Sequence, residues 1–148
     1  MPSRGTDPVI GFSFSLDVQG TLQGYFTEIG GLGSETEIVE HKVVDPQGRD
    51  LIQKIPGRLK FTDVTLKRGV TSLKDIWDWR KMVEDGNIVG ARKNATITMY
   101  DQSLNAVARW NLTNAWPTKV SGPSIQSDSN AFGVEEVSIT FEMLIREI

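Results

Sequence analysis

The sequence contains no cysteine and a single histidine, His41, among its 148 residues. The absence of cysteine excludes disulfides, thiolate metal sites and a cysteine nucleophile. One histidine excludes a metal site built from several imidazoles, and any histidine-dependent catalysis would have to use His41. Several common classes of small enzyme are therefore ruled out by composition.

A charge excess and long apolar runs are also missing. The 16 Lys and Arg and the 19 Asp and Glu give a net charge of −3, whereas nucleic-acid binders usually carry a basic excess or stripe. No apolar run approaches the roughly 20 residues that cross a bilayer. The polar start, Met1–Pro8, has no apolar segment of the signal-peptide type behind it. We therefore expect synthesis in the cytoplasm without a signal peptide.

The length and composition predict one folded domain spanning residues 1–148. Apolar residues make up 39% and charged residues 24% of the chain, which is typical of a protein with a sizeable core. Chains of this length usually form a single domain.

Apolar and polar residues alternate in most of the chain, which predicts a mainly β protein. Phe12–Gln19 alternates strictly, and with 25–29 it predicts a hairpin. In 58–67 the apolar positions change parity near Asp63, which indicates a bulge or a strand that leaves one sheet for another. Further strands are predicted at 35–44, 95–100, 106–113 and 134–146. About seven strands without βαβ alternation predict an antiparallel β-barrel or sandwich.

One short helix is predicted, from Ser72 to Asp85, because a capping-type start precedes it and Gly86 suits its end. Its predicted apolar face comprises Leu73, Ile76, Trp77 and Val83. We expect this face, with Trp77 in the core, to cover an open end or side of the β-structure. The alternative is that Trp79 or Met82 contacts a neighbouring subunit.

Residues 45–57 have turn-forming residues at both ends and predict a long loop or a projecting arm. Within this segment Leu51, Ile52 and Ile55 are apolar. A solvated loop has little reason to carry three such side chains. We therefore expect some of them to pack on another surface, either of the same chain or of another chain.

No constellation of catalytic residues is found. Glu35 and Glu37 share a strand face, but alternating charges on a solvated face are far commoner than an acid–base pair. Gly30–Gly33 lacks the last glycine of the G-x-G-x-x-G dinucleotide motif and its βαβ context, and it predicts tight backbone turns instead. We therefore predict no enzymatic activity, no catalytic residue, no cofactor and no metal.

A series of short motifs occurs in a fixed order along nearly the whole chain. The motifs are Phe14–Gly20, Gly24–Leu32, Glu35–Glu37, Lys54–Gly57, Val64–Thr71, Trp77, Trp110, Asn114–Lys119 and a final strand around Glu136–Glu147. This ordered set resembles the T4-like contractile tail tube protein family, whose relatives form the inner tubes of phage-tail-like contractile injection systems. The chain departs from the pattern at its end, where many relatives have His or Tyr before the Glu and a longer tail.

The resemblance implies a structural subunit that forms hexameric rings, which stack into a hollow tube inside a contractile sheath. It implies contacts with further copies of the chain and with sheath, baseplate, spike, tube-initiator and terminator proteins. The lumen would carry an effector protein in an injection system, the reading we favour, or DNA in a phage tail. The particle would assemble in the bacterial cytoplasm and then be released or anchored to a membrane. A monomeric β-sandwich binding module with exposed tryptophans is the less favoured alternative.

Two sets of candidate site residues follow. By analogy with the family, the arm would reach the next ring through Asp45, Pro46, Gln47, Arg49, Asp50, Leu51, Ile52 and Ile55. The polar faces of two strands could line a wet lumen through Ser13, Ser15, Asp17, Gln19, Ser138, Thr140 and Glu142. A register slip of one residue would exchange the two faces of a strand, so the sequence does not determine which face lines the lumen. Pairing around a ring would also cover exposed sheet edges, which are otherwise sites of aggregation.

Overall fold

A computed structural model describes residues 13–19, 22–70, 73–123 and 133–148, and every strand pair in it is antiparallel. The predicted cap Ser72 and most of the predicted polar loop 121–130 lie outside these residues. The elements are β1 (Ser13–Val18), β2 (Leu22–Phe26), β3 (Glu28–Gly30), β4 (Ser34–Val44), β5 (Asp50–Phe61), β6 (Val64–Gly69), α1 (Asp75–Glu84), α2 (Ile88–Ala91), β7 (Lys93–Tyr100), β8 (Ala106–Ser121), β9 (Val134–Thr140) and β10 (Met143–Arg146).

Eight strands form one sheet in the order β2-β1-β7-β8-β9-β6-β3, with β10 also paired to β8. The long strand β8 divides this sheet into two halves. Half A consists of β2, β1, β7, β10 and the first part of β8, and half B consists of the second part of β8 with β9, β6 and β3. Among the described residues no ladder joins the end strands β2 and β3, so the sheet does not close into a barrel. The predicted antiparallel β class is confirmed.

The core lies between the two halves, because alternate residues of each strand turn inward. These inward residues include Leu16, Val18, Ile97 and Leu112 from half A and Val64, Leu66, Val137 and Ile139 from half B. Their outward neighbours are mostly polar, which is the pattern that made these strands recognisable in the sequence.

Helix α1 packs against β8 and β2 and so covers one side of the core, as predicted. Its orientation differs from the prediction. Trp79 is fully buried, whereas Trp77 is 38% exposed. The Trp79 indole N–H donates to the Ala91 carbonyl at 2.8 Å, so the whole ring is buried without an unpaired donor. The placement of Trp77 in the core was therefore wrong, and the short helix α2 that supplies Ala91 was not predicted. Among the described residues, neither helix has the length and apolar character of a membrane span.

Two irregularities in the predicted strands have structural explanations. Strand β5 ends at Phe61 and β6 begins at Val64 in a different sheet, so the parity change at Asp63 marks a strand that changes sheets, one of the two predicted alternatives. The predicted strand 134–146 is interrupted at 141–142 and continues as β10. Pro117 lies inside β8, beside a bulge, where a missing backbone donor is tolerated.

In the part of the chain that the structure describes, strands β4 and β5 pair only with each other and form a separate two-stranded sheet. All their residues are exposed except Val43 and Phe61, which are half-buried. We call residues 34–61 the arm. The loop interpretation of 45–57 was wrong for most of its length, because β5 begins at Asp50 and only 45–49 form the connecting turn. The apolar side chains in this segment belong to a strand.

Candidate assembly surfaces

The turn at the tip of the arm is held by its own side chains. Asp45 Oδ1 accepts the backbone N–H groups of Gln47 at 2.9 Å and Arg49 at 2.8 Å. The Arg49 guanidinium donates to Asp45 Oδ2 at 2.8 Å and to the Gln47 side-chain oxygen at 2.9 Å. Gly48 supplies the positive φ of 79° that the turn requires. The Asp45 side chain is only 8% exposed although it lies at the end of the arm. Arg49, predicted as an interface charge, is thus engaged within the turn.

Replacing Asp45 with alanine should loosen this tip by about 1–2 kcal/mol, because a charged acceptor for three donors is lost. We expect faster hydrogen–deuterium exchange of the Gln47 and Arg49 amides, with exchange in β1 and β7 unchanged. Asp50→Ala is the matched control, since Asp50 takes no part in these hydrogen bonds. Equal exchange in both variants would show that the turn does not depend on the Asp45 carboxylate.

The two faces of the arm differ in charge. One face consists of three consecutive cross-strand pairs without Asp, Glu, Lys or Arg: Val39 with Ile55, His41 with Gln53, and Val43 with Leu51. The other face mixes apolar and charged pairs: Ile38 with Pro56, Glu40 with Lys54, Lys42 with Ile52, and Val44 with Asp50. We call these the uncharged face and the charged face. Of the predicted contact residues, Leu51 and Ile55 lie on the first, and Asp50 and Ile52 on the second.

The arm exposes seven large apolar side chains to solvent. Its exposed apolar side chains are Ile38, Val39, Val44, Leu51, Ile52, Ile55 and Leu59, each 42–67% accessible. An isolated two-stranded hairpin is marginal in water, and clusters of exposed apolar side chains mark protein interaction sites. The arm therefore has the properties of a docking element.

The first predicted lumen set lies on the outward side of half A. Asp17 and Gln19 are exposed and, with Asn94 and Thr96, line a shallow concavity of about 420 Å³. Ser13 is half-buried. Ser15 is only 8% exposed, and its hydroxyl donates to the Tyr100 hydroxyl at 3.3 Å. Asp17, Gln19 and Ser13 can therefore meet solvent, whereas Ser15 mainly joins β1 to β7.

The second predicted lumen set lies on a different surface. Ser138 pairs with Thr65, and Thr140 pairs with Trp116, both on the outward side of half B. Glu142 lies between β9 and β10 and accepts a hydrogen bond from the Asn114 amide at 2.7 Å. Strands β1 and β9 are separated by β7 and β8 in the sheet. The structure therefore does not bring the two sets together.

The outward side of half A is rich in hydroxyl and amide groups beyond those predicted. Register places Gln23 and Tyr25 of β2, Thr96 and Thr98 of β7, and Arg109 and Asn111 of β8 beside the first set. Arg109 is 3.7 Å from Glu147, so their charges offset each other. Strand alternation already indicated which residues of β7 turn outward, but only the pairing shows that they adjoin Ser13 and Asp17.

Half A also has two free edges. Within the described part of the chain, β2 pairs only with β1, and β10 pairs only with β8. Each strand therefore leaves one row of backbone donors and acceptors without a ladder partner, which is a template for pairing with another chain.

A buried charge cluster joins α1 to half B. Arg68 Nε donates to Glu135 Oε1 at 2.7 Å, and these two side chains are 6% and 3% exposed. Arg68 also pairs with Asp75 of α1 and lies 5.1 Å from the centre of the Phe26 ring. The Trp77 indole N–H donates to Glu135 Oε2 at 2.8 Å. Burial alone would lower the pKa of Arg68, but hydrogen bonds to Asp75 and Glu135 and their negative charges raise it.

The polar groups of this cluster are occupied by one another, which gives it a structural role. Within the described ranges, no three or more His, Asp or Glu side chains are grouped so as to hold a metal ion. The outstanding features of the molecule are accordingly surfaces for assembly: the arm, the free edges of half A and its polar outward side.

Comparison with solved structures shows the same fold in several proteins. A chain of the PVC sheath–tube complex, an extracellular contractile injection system in its extended state, matches with TM-score 0.70 and 24% identity, covering 97% of this chain and 93% of that chain. A chain of the anti-feeding prophage baseplate matches with TM-score 0.71 and 15% identity over 99% and 97%. Hcp1 from Flavobacterium johnsoniae matches with TM-score 0.55 and 15% identity over 90% and 94%. These TM-scores establish a common fold.

No curated protein sequence matches the chain significantly. The sequence model of one family, described as T4-like virus tail tube protein gp19, matches residues 11–145. That match covers most of the chain and includes the arm, both sheet halves and the two helices. The protein belongs to the T4-like virus tail tube protein family.

Proposed function

We propose that this chain is the structural subunit of the inner tube of a contractile injection system. Hexameric rings stack into a hollow tube, and contraction of a surrounding sheath drives the tube through the target envelope with cargo in its lumen. The observation that carries the proposal is the arm, whose apolar side chains are exposed and whose strands, within the described residues, pair only with each other. Family membership and the fold shared with a PVC sheath–tube complex support it.

The free edges of half A suggest how a ring forms. Pairing of β2 in one copy with β10 in the next would extend half A from subunit to subunit and satisfy both edges. The core covers the inner side of half A, so its outward side, with Ser13, Asp17 and Gln19, would line the lumen. Ser138 and Thr140 on half B would then face away from the lumen, towards the sheath.

The proposed partners are further copies of this chain, the sheath protein, and baseplate, spike, tube-initiator and terminator proteins. The role is structural, without a catalytic step. Assembly takes place in the bacterial cytoplasm, and the particle acts outside the cell. An effector protein is the proposed cargo; the tail tube of a contractile phage, which conducts DNA, is the second candidate, because the matched family is described from a virus tail.

Leu51→Asp tests the arm as the contact between rings. Leu51 lies on the uncharged face, and burying an unpaired carboxylate there opposes docking. With a nucleating baseplate fraction, negative-stain electron microscopy should show long tubes for the wild-type chain and none for the variant. The variant should keep the melting temperature of the wild type, since Leu51 is exposed in the subunit.

Leu104→Asp is the control, because Leu104 is an exposed leucine in the turn between β7 and β8, away from the arm. Its positive φ of 64° is a conformation that aspartate accepts. Long tubes from Leu51→Asp would refute the role of the arm. A wild-type chain that forms no rings or tubes even with the baseplate would refute the tube function.

A further inference from the structure

We propose that the concavity around Asp17 binds cationic segments of an extended polypeptide cargo. This inference rests on the proposed tube function, in which the outward side of half A lines the lumen. It adds the residues that contact the cargo and the chemical class of cargo that they select.

Asp17 carries an uncompensated charge on the outward side of half A. Its side chain is exposed, and within the described residues no hydrogen bond or ion pair occupies its carboxylate. The other charged side chain that the described strands of half A turn outward is Arg109, whose guanidinium lies 3.7 Å from the Glu147 carboxylate. Because Arg109 and Glu147 offset each other, the Asp17 carboxylate makes this side of half A negative.

The concavity, of about 420 Å³, places hydrogen-bonding groups around this carboxylate. Asn94 Oδ1 accepts the backbone N–H of Asn114 at 3.2 Å, which leaves the amide N–H groups of Asn94 as donors. The Thr96 hydroxyl donates to the Asn111 side-chain oxygen at 3.1 Å, which leaves the lone pairs of Thr96 Oγ1 as acceptors. A polypeptide backbone offers both acceptors and donors to such groups, and a Lys or Arg side chain supplies the charge that complements Asp17.

Nucleic acid does not suit the same surface. Proteins bind phosphate groups largely with Lys and Arg, and neutralisation of phosphates supplies much of the affinity for DNA. The described strands of half A turn one such cation outward, Arg109, and Glu147 already offsets its charge. The Asp17 carboxylate repels a phosphate. The surface therefore favours a cationic polypeptide over DNA.

Repetition strengthens a contact that is weak in one subunit. A single exposed ion pair contributes less than about 1 kcal/mol. In the proposed tube every subunit presents its Asp17 to the same lumen, so one cargo chain meets many carboxylates at once. Like charges that line a confined channel concentrate counter-ions, and linked weak contacts multiply in strength. We therefore expect binding in the assembled tube, and we expect it to weaken as the salt concentration rises.

Asp17→Asn tests the site, and Glu28→Gln is the matched control. Each variant removes one exposed carboxylate per subunit, but Glu28 lies on half B, 3.9 Å from Lys67. Tubes are grown on a baseplate fraction in the presence of a short fluorescent peptide of alternating Lys and Ser, and the peptide that sediments with them is measured. Asp17→Asn should lower the amount of sedimented peptide by about fivefold or more, whereas Glu28→Gln should leave it within about twofold. Electron microscopy checks that both variants form tubes.

Two further probes test the chemical class of the cargo: a peptide of alternating Glu and Ser, and a single-stranded oligonucleotide. Neither should sediment with wild-type tubes. Equal losses in the two variants would overturn the role of Asp17, and an oligonucleotide that binds as well as the Lys peptide would overturn the choice of a polypeptide. Wild-type tubes that bind no Lys peptide would refute this inference and leave the tube function standing, whereas absence of wild-type tubes would refute both.

Discussion

Replacing Glu135 with alanine is expected to lower the free energy of unfolding by about 3–5 kcal/mol, because it leaves the buried Arg68 guanidinium with one of its two carboxylate partners missing. The Trp77 indole N–H also loses its acceptor, and a cavity opens beside α1. The measurement is denaturant unfolding of the isolated subunit, followed by tryptophan fluorescence.

Glu136→Ala is the control for this prediction. Glu136 is the next residue, turns outward, and lies 3.9 Å from Lys67 with a third of its side chain exposed. Such pairs contribute below about 1 kcal/mol. The double variant Arg68→Met with Glu135→Leu should recover part of the loss, since an apolar pair replaces the buried Arg68–Glu135 ion pair, and the recovery is incomplete because Asp75 loses its partner. If Glu135→Ala and Glu136→Ala lowered the free energy of unfolding equally, burial of the cluster would not be the reason that it stabilises the subunit.

Gly31→Ala is expected to destabilise the subunit by about 2 kcal/mol or more, because an L side chain at this position is strained in two ways. The φ of Gly31 is 87°, and a Cβ would lie 2.2 Å from the Asp63 carbonyl oxygen. Gly31 follows β3, and Asp63 precedes β6, so the two residues meet where the arm leaves the main sheet. Displacing either one alters the base of the arm, and we expect tube growth to fall together with the unfolding free energy.

Gly33→Ala is the matched control for Gly31, because a Cβ at Gly33 meets open space. It should change stability by no more than about 0.5 kcal/mol. The two variants are compared by denaturant unfolding and by sedimentation of tubes. If Gly31→Ala were as stable as Gly33→Ala, the close approach to Asp63 would have no energetic consequence.

The strands that cover the core and strand β4 of the arm could be predicted from the sequence, and most of β5 could not. Strands β1 and β9 alternate because one side of each is buried in the subunit. Neither side of β5 is buried on its own chain, so nothing requires alternation, and its Pro56-Gly57 pair resembles the end of a loop. A strand that is covered only in an assembly lacks the signal that sequence analysis uses.

The orientation of α1 was missed for a related reason. Apolar residues occur on more than one side of this helix, so periodicity could not decide between Trp77 and Trp79. The hydrogen bonds to Glu135 and Ala91 fix the orientation of the helix. Glu135 is distant from the helix in sequence, and Ala91 lies in an element that was not predicted.

The two predicted lumen sets show the same limit of sequence analysis. Alternation gave the outward residues of each strand, but not that β7 and β8 separate β1 from β9.

Strand β8 runs through both sheet halves and contributes to the ladder on each side of the bend at Asn114, whose φ is 52°. The shared strand couples the two halves, so we expect the core to unfold as one cooperative unit. The arm shares no strand with that unit and can open and close by itself. A subunit that binds to the growing end of a tube can therefore order its arm on contact, while its core is already folded.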